Sequence, residues 1–231
     1  MTPLVLIPGM MCDARLFGPQ LTALSADRTI FTPSIGAHDT MSALAAEILK
    51  SAPPRFALAG LSMGGIVAME IIRQAPERVE RLALMDTNPQ AEADEVKNRR
   101  GAQIAAVKAG GLRSVMRDEM KPNYLTDGPR RAAILDLCMA MSTDLGPDVF
   151  VNQSLALRDR PDQSDTLRSY QGPALILCGR DDQLCPVERH DFMHELMPQS
   201  SLTIVDGAAH LPTLEQPEIT TSALRRWLEE T

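Results

Sequence analysis

Apolar residues in this chain come in short unbroken runs, set between longer stretches in which they recur every three or four positions. Residues 4–7, 56–59, 82–85, 174–178 and 202–205 are such runs, with 29–32 a shorter and more polar one. Runs of this length bounded by turn residues read as strands buried on both faces. Between them, Met41, Leu44, Ala45 and Ile48 follow a helical spacing. Helices are predicted over 13–24, where Asp13 can cap the first turn, and over 40–50, 66–74, 188–197 and 218–230. Strands alternating with helices predict a mostly parallel sheet covered on both faces, the α/β class. The alternation stops between residues 88 and 169. There the pattern is helical throughout, over 94–108, 112–119, 129–142 and 147–158, punctuated by Gly110-Gly111, Gly128-Pro129 and Gly146-Pro147. The expected organisation is a core domain, 1–87 and 170–231, with a helical cap, 88–169, inserted into it.

Composition narrows the class of partner. The 231 residues suit one large domain with an insertion, and 44% hydrophobic residues suffice for a buried core. Aromatics are only 3%, leaving little to stack on bases. The net charge of −7 repels polyphosphate, so nucleic acid is not an expected partner. The segment 88–168 is neutral and rich in arginine, so the remainder of the chain carries the whole excess. Cys12, Cys138, Cys178 and Cys185 form no Cys-x-x-Cys pair, which suits a reducing compartment. The first residues lack a basic stretch and reach Pro8-Gly9 too early for a secretory signal, and no apolar run has membrane-spanning length. These readings point to a cytoplasmic protein with no membrane partner.

The candidate chemistry lies in Gly60-Leu61-Ser62-Met63-Gly64. This G-x-S-x-G is informative because a predicted strand precedes it and a predicted helix follows. Such a turn presents the serine at the strand end, beside outward-pointing N–H groups of the helix N-terminus. A serine hydroxyl needs a base, and the base an orienting carboxylate. His210, in Val-Asp-Gly-Ala-Ala-His, follows the last predicted strand, at the edge where open α/β sheets place their sites. Asp181 and Asp182 follow the strand at 174–178, and Asp86 after 82–85 is another candidate acid.

Three blocks, "GLSMGG", "GRDDQLCP" and "GAAHLPTLEQPE", together resemble the α/β-hydrolase superfamily, in its serine carboxylesterase and enol-lactonase-like branch. The resemblance spans essentially the whole chain. It implies a reduced sheet of about six strands and a catalytic triad of Ser62, Asp182 and His210, with Asp182 framed by Gly179 and Pro186. "LVLIPGMM" stands where the family has its oxyanion loop, with Pro8 in place of the usual histidine. By that resemblance the backbone N–H groups of Met10 and Met63 receive the oxyanion. The implied activity is hydrolysis of a small carboxylic ester or thioester through an acyl-enzyme, with no metal or organic cofactor. Lactone or C–C bond hydrolysis is the alternative, and a ligand-binding member with a vestigial triad is the alternative of another class. An acyl carrier protein as partner rests only on the arginines of the insertion. "HDFMH" at 190–194 echoes a zinc motif but reads as a solvated helix face. Asn98-Arg99-Arg100, Arg130-Arg131 and Arg158-Asp159-Arg160 likewise read as solvated charge, or as contacts to an anionic substrate.

Overall fold

The fold is taken from a computed structural model that describes residues 1–229. Six strands form one sheet: β1 (Leu4–Ile7), β2 (Ile30–Phe31), β3 (Phe56–Leu61), β4 (Val79–Met85), β5 (Ala174–Gly179) and β6 (Ser201–Val205). Their order is β2-β1-β3-β4-β5-β6, and every neighbouring pair is parallel. The expected sheet of about six strands is therefore present, and wholly parallel. Side chains alternate between two apolar layers, as the pleat requires. Val5, Ile7, Leu58, Leu82, Leu84 and Ile176 enter one core, while Leu4, Leu6, Ala57, Ala59, Leu175 and Leu177 enter the other. Burial on both faces is why these strands are written as unbroken apolar runs.

The helices follow the predicted spacing, with bounds shifted by a few residues. α1 (Gly18–Leu24) is preceded by a 3₁₀ turn capped by Asp13, whose Oδ1 accepts from Arg15 N at 2.9 Å. α2 (Met41–Ser51) is capped by Thr40. α3 (Met63–Gln74) starts three residues earlier than the apolar period indicates, directly after Ser62. Between β4 and β5 every described element is helical: α4 (Asp94–Lys108), the short α5 (Leu112–Ser114) with a π-helical turn and a 3₁₀ turn after it, α6 (Arg131–Arg158) and α7 (Ser164–Ser169). α6 joins the two predicted helices across Gly146, whose φ of +83° breaks the helical conformation just before Pro147. α8 (Val187–Leu196) follows β5. The chain closes through α9 (Pro212–Glu215) and α10 (Pro217–Glu229) after β6. The short α7 and α9 carry too few residues for a period to be read. No helix among the described residues is long and apolar enough to cross a membrane.

Candidate active site

The parallel sheet brings the C-terminal ends of β1, β3, β4 and β5 to one edge, and the chemistry gathers there. Ser62 leaves β3 with φ +54° and ψ −118°, a backbone state costly for any residue with a Cβ. The turn is held from several sides. Ser62 N donates to Met85 O at 2.8 Å, and Thr87 Oγ1 donates to Ser62 O at 2.7 Å. Glycine is required on both sides of the serine. A Cβ on Gly60 would fall on the Gly64 carbonyl, and a Cβ on Gly64 would fall on the Ile7 carbonyl of β1. Met11 (φ +55°) and Asp86 (φ +44°) are the other non-glycine residues with positive φ among those described, and both flank the same edge. Strain of this kind persists only where surrounding structure holds it, and here it is concentrated around Ser62.

His210 follows β6 and reaches back to the serine. Its Nε2 lies 2.9 Å from Ser62 Oγ, and its Nδ1 lies 2.8 Å from Asp182 Oδ2. An ionised Asp182 accepts the Nδ1 proton, which leaves Nε2 to accept from the serine hydroxyl. Asp182 is only 2% exposed, and its Oδ1 accepts from the N–H groups of Leu184 (2.8 Å) and Cys185 (3.0 Å). Burial alone would raise its pKa. His210 and the two backbone donors outweigh burial and hold it below the ordinary carboxylate value, so it stays charged. Of the two adjacent acids the structure brings Asp182 to the histidine, while Asp181 is exposed.

Asp86 plays another part. It is fully buried, with Oδ1 accepting from Gly179 N at 2.9 Å and Oδ2 unpartnered. Burial, and the charge of Asp182 beside it, push its pKa well above the usual value, so it is held protonated. A neutral acid there leaves Asp182 as the carboxylate that faces His210.

The loop after β1 is shaped by a residue that no motif or period singles out. Gln153 of α6 accepts from Met11 N at 2.8 Å and donates to Ile35 O at 3.2 Å. It thereby ties the helical insertion to the loop that carries Met10. The main-chain N–H groups of Met10 and Met63 donate no hydrogen bond among the described residues. Glu215 is a second such residue. Its Oε2 accepts from Ala209 N and Leu211 N, on either side of His210, and its Oε1 accepts from Thr126 N and Oγ1. His210 N itself donates to Tyr124 O at 3.0 Å. The only forward signal for Glu215 was its place in "HLPTLEQPE".

Asp182, Cys185 and His210 are one set of potential metal ligands, their donor atoms within 4.8 Å of one another. The Asp182 and His210 donors are already committed to the hydrogen bonds above, and burial pushes the Cys185 thiol well up, keeping it from the thiolate that binds metal. The histidines of "HDFMH" do not form a solvated face as expected. His190 is fully buried, its Nε2 accepting from Thr87 N at 3.2 Å and its Nδ1 facing Pro186 O. Burial depresses its pKa to about 4, so it is neutral. His194 Nδ1 pairs with Ser200 Oγ at 2.7 Å, so each histidine has its own partner.

A cavity of about 250 Å³ opens onto Ser62 and His210. The sheet edge supplies one wall and residues of the helical stretch between β4 and β5, among them Val96, Met120, Tyr124 and Leu157, supply the other. Two arginines, read from the sequence as solvated charge or as contacts to an anionic substrate, are withdrawn from solvent between β4 and β5. Arg160, with its side chain 4% exposed, and Arg100, at 15%, both bond Glu92 Oε2 at 2.9 Å.

The chain is 25% identical to a pimeloyl-[acyl-carrier protein] methyl ester esterase of Klebsiella pneumoniae (strain 342), across 93% of this chain and 88% of that protein. It superposes on a thermophilic esterase from Thermogutta terrifontis, solved with malate bound, with a TM-score of 0.89 and 28% identity, covering 99% of this chain and 89% of that one. The enol-lactonase of Burkholderia xenovorans LB400 shares the fold at a TM-score of 0.89 and 19% identity, with 99% and 92% covered. The model of the alpha/beta hydrolase family matches residues 4–223, and the chain belongs to that family.

Proposed function

We propose that this alpha/beta hydrolase is an esterase that cleaves a small carboxylic ester or thioester through an acyl-enzyme on Ser62. One observation carries the reading: the unbroken sequence of hydrogen bonds Ser62–His210–Asp182 at the mouth of a cavity. His210 Nε2 removes the hydroxyl proton as Oγ attacks the ester carbonyl, forming the C–O bond of a tetrahedral intermediate. The backbone N–H groups of Met10 and Met63 receive the oxyanion, and such donors are worth about 3 kcal/mol each. The imidazolium, stabilised by Asp182, returns its proton to the leaving alcohol as the acyl C–O bond breaks. Water, deprotonated by the same His210, then attacks the acyl-enzyme and releases the acid. The segment 88–169 acts as a cap that closes the acyl side of the cavity. An ester carried on an acyl carrier protein is the second reading, favoured by the name of the 25% identical relative.

The test is steady-state hydrolysis of p-nitrophenyl esters from acetate to decanoate, with wild type beside Ser62→Ala. Activity is expected to favour short chains, since the cavity of about 250 Å³ lies below the usual range for drug-sized ligands. Ser62→Ala is expected to lose at least ~10³-fold in kcat. Turnover by the folded variant close to that of wild type would overturn the mechanism.

A further inference from the structure

The cavity beside Ser62 is lined by more cationic than anionic groups. The charged groups lining it, apart from His210, are Arg99, Arg100, Arg160 and Arg189 against Glu92 and Glu119. The acids are already engaged. Glu119 accepts from Gln103 Nε2 at 3.0 Å. Glu92 is shared by two guanidinium groups, with Arg100 Nε and Nη2 and Arg160 Nη1 all on its Oε2. One carboxylate between the buried Arg160 and the half-buried Arg100 leaves a surplus positive charge in this wall.

Arg160 has donors to spare. Its Nε donates to Gln90 O and its Nη1 to Glu92, while its Nη2 makes no hydrogen bond among the described residues. Arg189, half-buried on α8, makes no side-chain hydrogen bond or ion pair among them either. Arg100, Arg160 and Arg189 line the same cavity, and burial first, then the charges of Arg100 and Arg189, lower the Arg160 pKa against the opposing pull of Glu92. Arg100 Nη1 also lies 3.8 Å from Met10 Sδ, so this cluster abuts the loop beside Ser62. Gathering like charges out of water is costly unless an anion joins them, and guanidinium groups take carboxylates as paired acceptors.

We propose that the substrate of this site bears a carboxylate remote from the scissile ester, received by Arg160 and Arg189 with Arg100 behind them. The hydrolysed product is then a dicarboxylic acid, and the site selects half-esters over their neutral counterparts. This deepens the esterase reading and rests on it for turnover, although binding of the anion does not depend on the chemistry.

Two measurements separate the claims. The first compares mono-p-nitrophenyl adipate with p-nitrophenyl hexanoate, which has the same acyl length. Wild type is expected to favour the adipate ester by about tenfold or more in kcat/KM, and Arg189→Gln to bring that ratio down by about tenfold, the equivalent of 1.4 kcal/mol. The ratio is internal to each variant, so a partly unfolded preparation does not mimic the effect. The second is calorimetric titration of adipate into Ser62→Ala, with and without Arg189→Gln. Saturable binding weakened by the arginine change supports the anion site even if no ester is turned over, an outcome that would sink only the hydrolase reading. Equal turnover of both esters, with no adipate binding, overturns the anion site and leaves the esterase standing.

Discussion

Two buried aspartates stand at adjacent strand ends, and their surroundings set opposite protonation states. Asp182 receives two backbone N–H bonds and faces His210, so it is held ionised below the usual range. Asp86 has one backbone donor, an unpartnered oxygen and a charged neighbour, so it is held protonated. Amide substitution should therefore separate them. Asp182→Asn presents an amide to His210 Nδ1, disfavours the required tautomer, and is expected to cut kcat by ~10³–10⁴-fold. Asp86→Asn replaces a neutral acid by a neutral amide and is expected to keep kcat within about threefold, under 0.7 kcal/mol in barrier. Esterase kinetics on the two purified variants checks this, and equal losses would mean that Asp86 shares the orienting role. Asp86 was visible beforehand as a candidate acid. What separated it from Asp182 was distance to a histidine 124 positions further along the chain, which no local pattern encodes.

The strand–turn–helix of β3 and α3 shows how close approach sets the composition of an element. Gly64 lies against the Ile7 carbonyl of β1, so the helix rests on the neighbouring strand without a side chain between them. Gly64→Ala forces α3 away from β1 at the point where Ser62 is presented. The expected cost is about 1–3 kcal/mol, read as a lower urea midpoint with unchanged m-value. An unchanged midpoint would show that the turn has slack the backbone distances deny. This element was legible because glycine, serine and the change of apolar period all fall within ten residues. The insertion was legible only as helices. Gln153, which fastens the loop of Met11, sits in ordinary helical surroundings with no local signal of its task, whereas Glu215, which fastens the loop of His210, is marked only by its place after the histidine.

Across the molecule, packing decides which polar groups are withdrawn from water, and this gives a pH dependence. His190 lies where α8 packs on the sheet, neutral, with a pKa of about 4 against 6.5 for the free side chain. Between those values the unfolded chain binds a proton that the fold refuses. The His190 contribution is therefore complete above about pH 6.5 and is lost as the pH falls towards 4, amounting to about 3 kcal/mol. Asp182, whose folded pKa is lowered, loses stability in the same direction at lower pH, whereas Asp86, whose pKa is raised, changes in the opposite sense. The prediction is accordingly a difference: urea unfolding from pH 7 to 4.5 should fall more steeply for wild type than for His190→Gln, which keeps an acceptor for Thr87 N–H. Parallel curves would mean that His190 is protonated without penalty.

The order of strands and helices, the neutral arginine-rich helical stretch, the serine turn, and the acids and His210 that follow the strands can all be read from the chain, because each rests on a period or a spacing of a few residues, while the choice of Asp182 among the acids rests on the family resemblance. The burial of Arg100, Arg160 and His190 runs against that reading. Charge and polarity suggest solvent for such residues, and only the meeting of α4, α6 and α8 with the sheet edge takes them out of it. The sheet itself brings Ser62, His210 and Asp182 together. Their hydrogen bonds join residues up to 148 positions apart, and contacts of that range exist only once the parallel sheet has brought its strand ends to one edge.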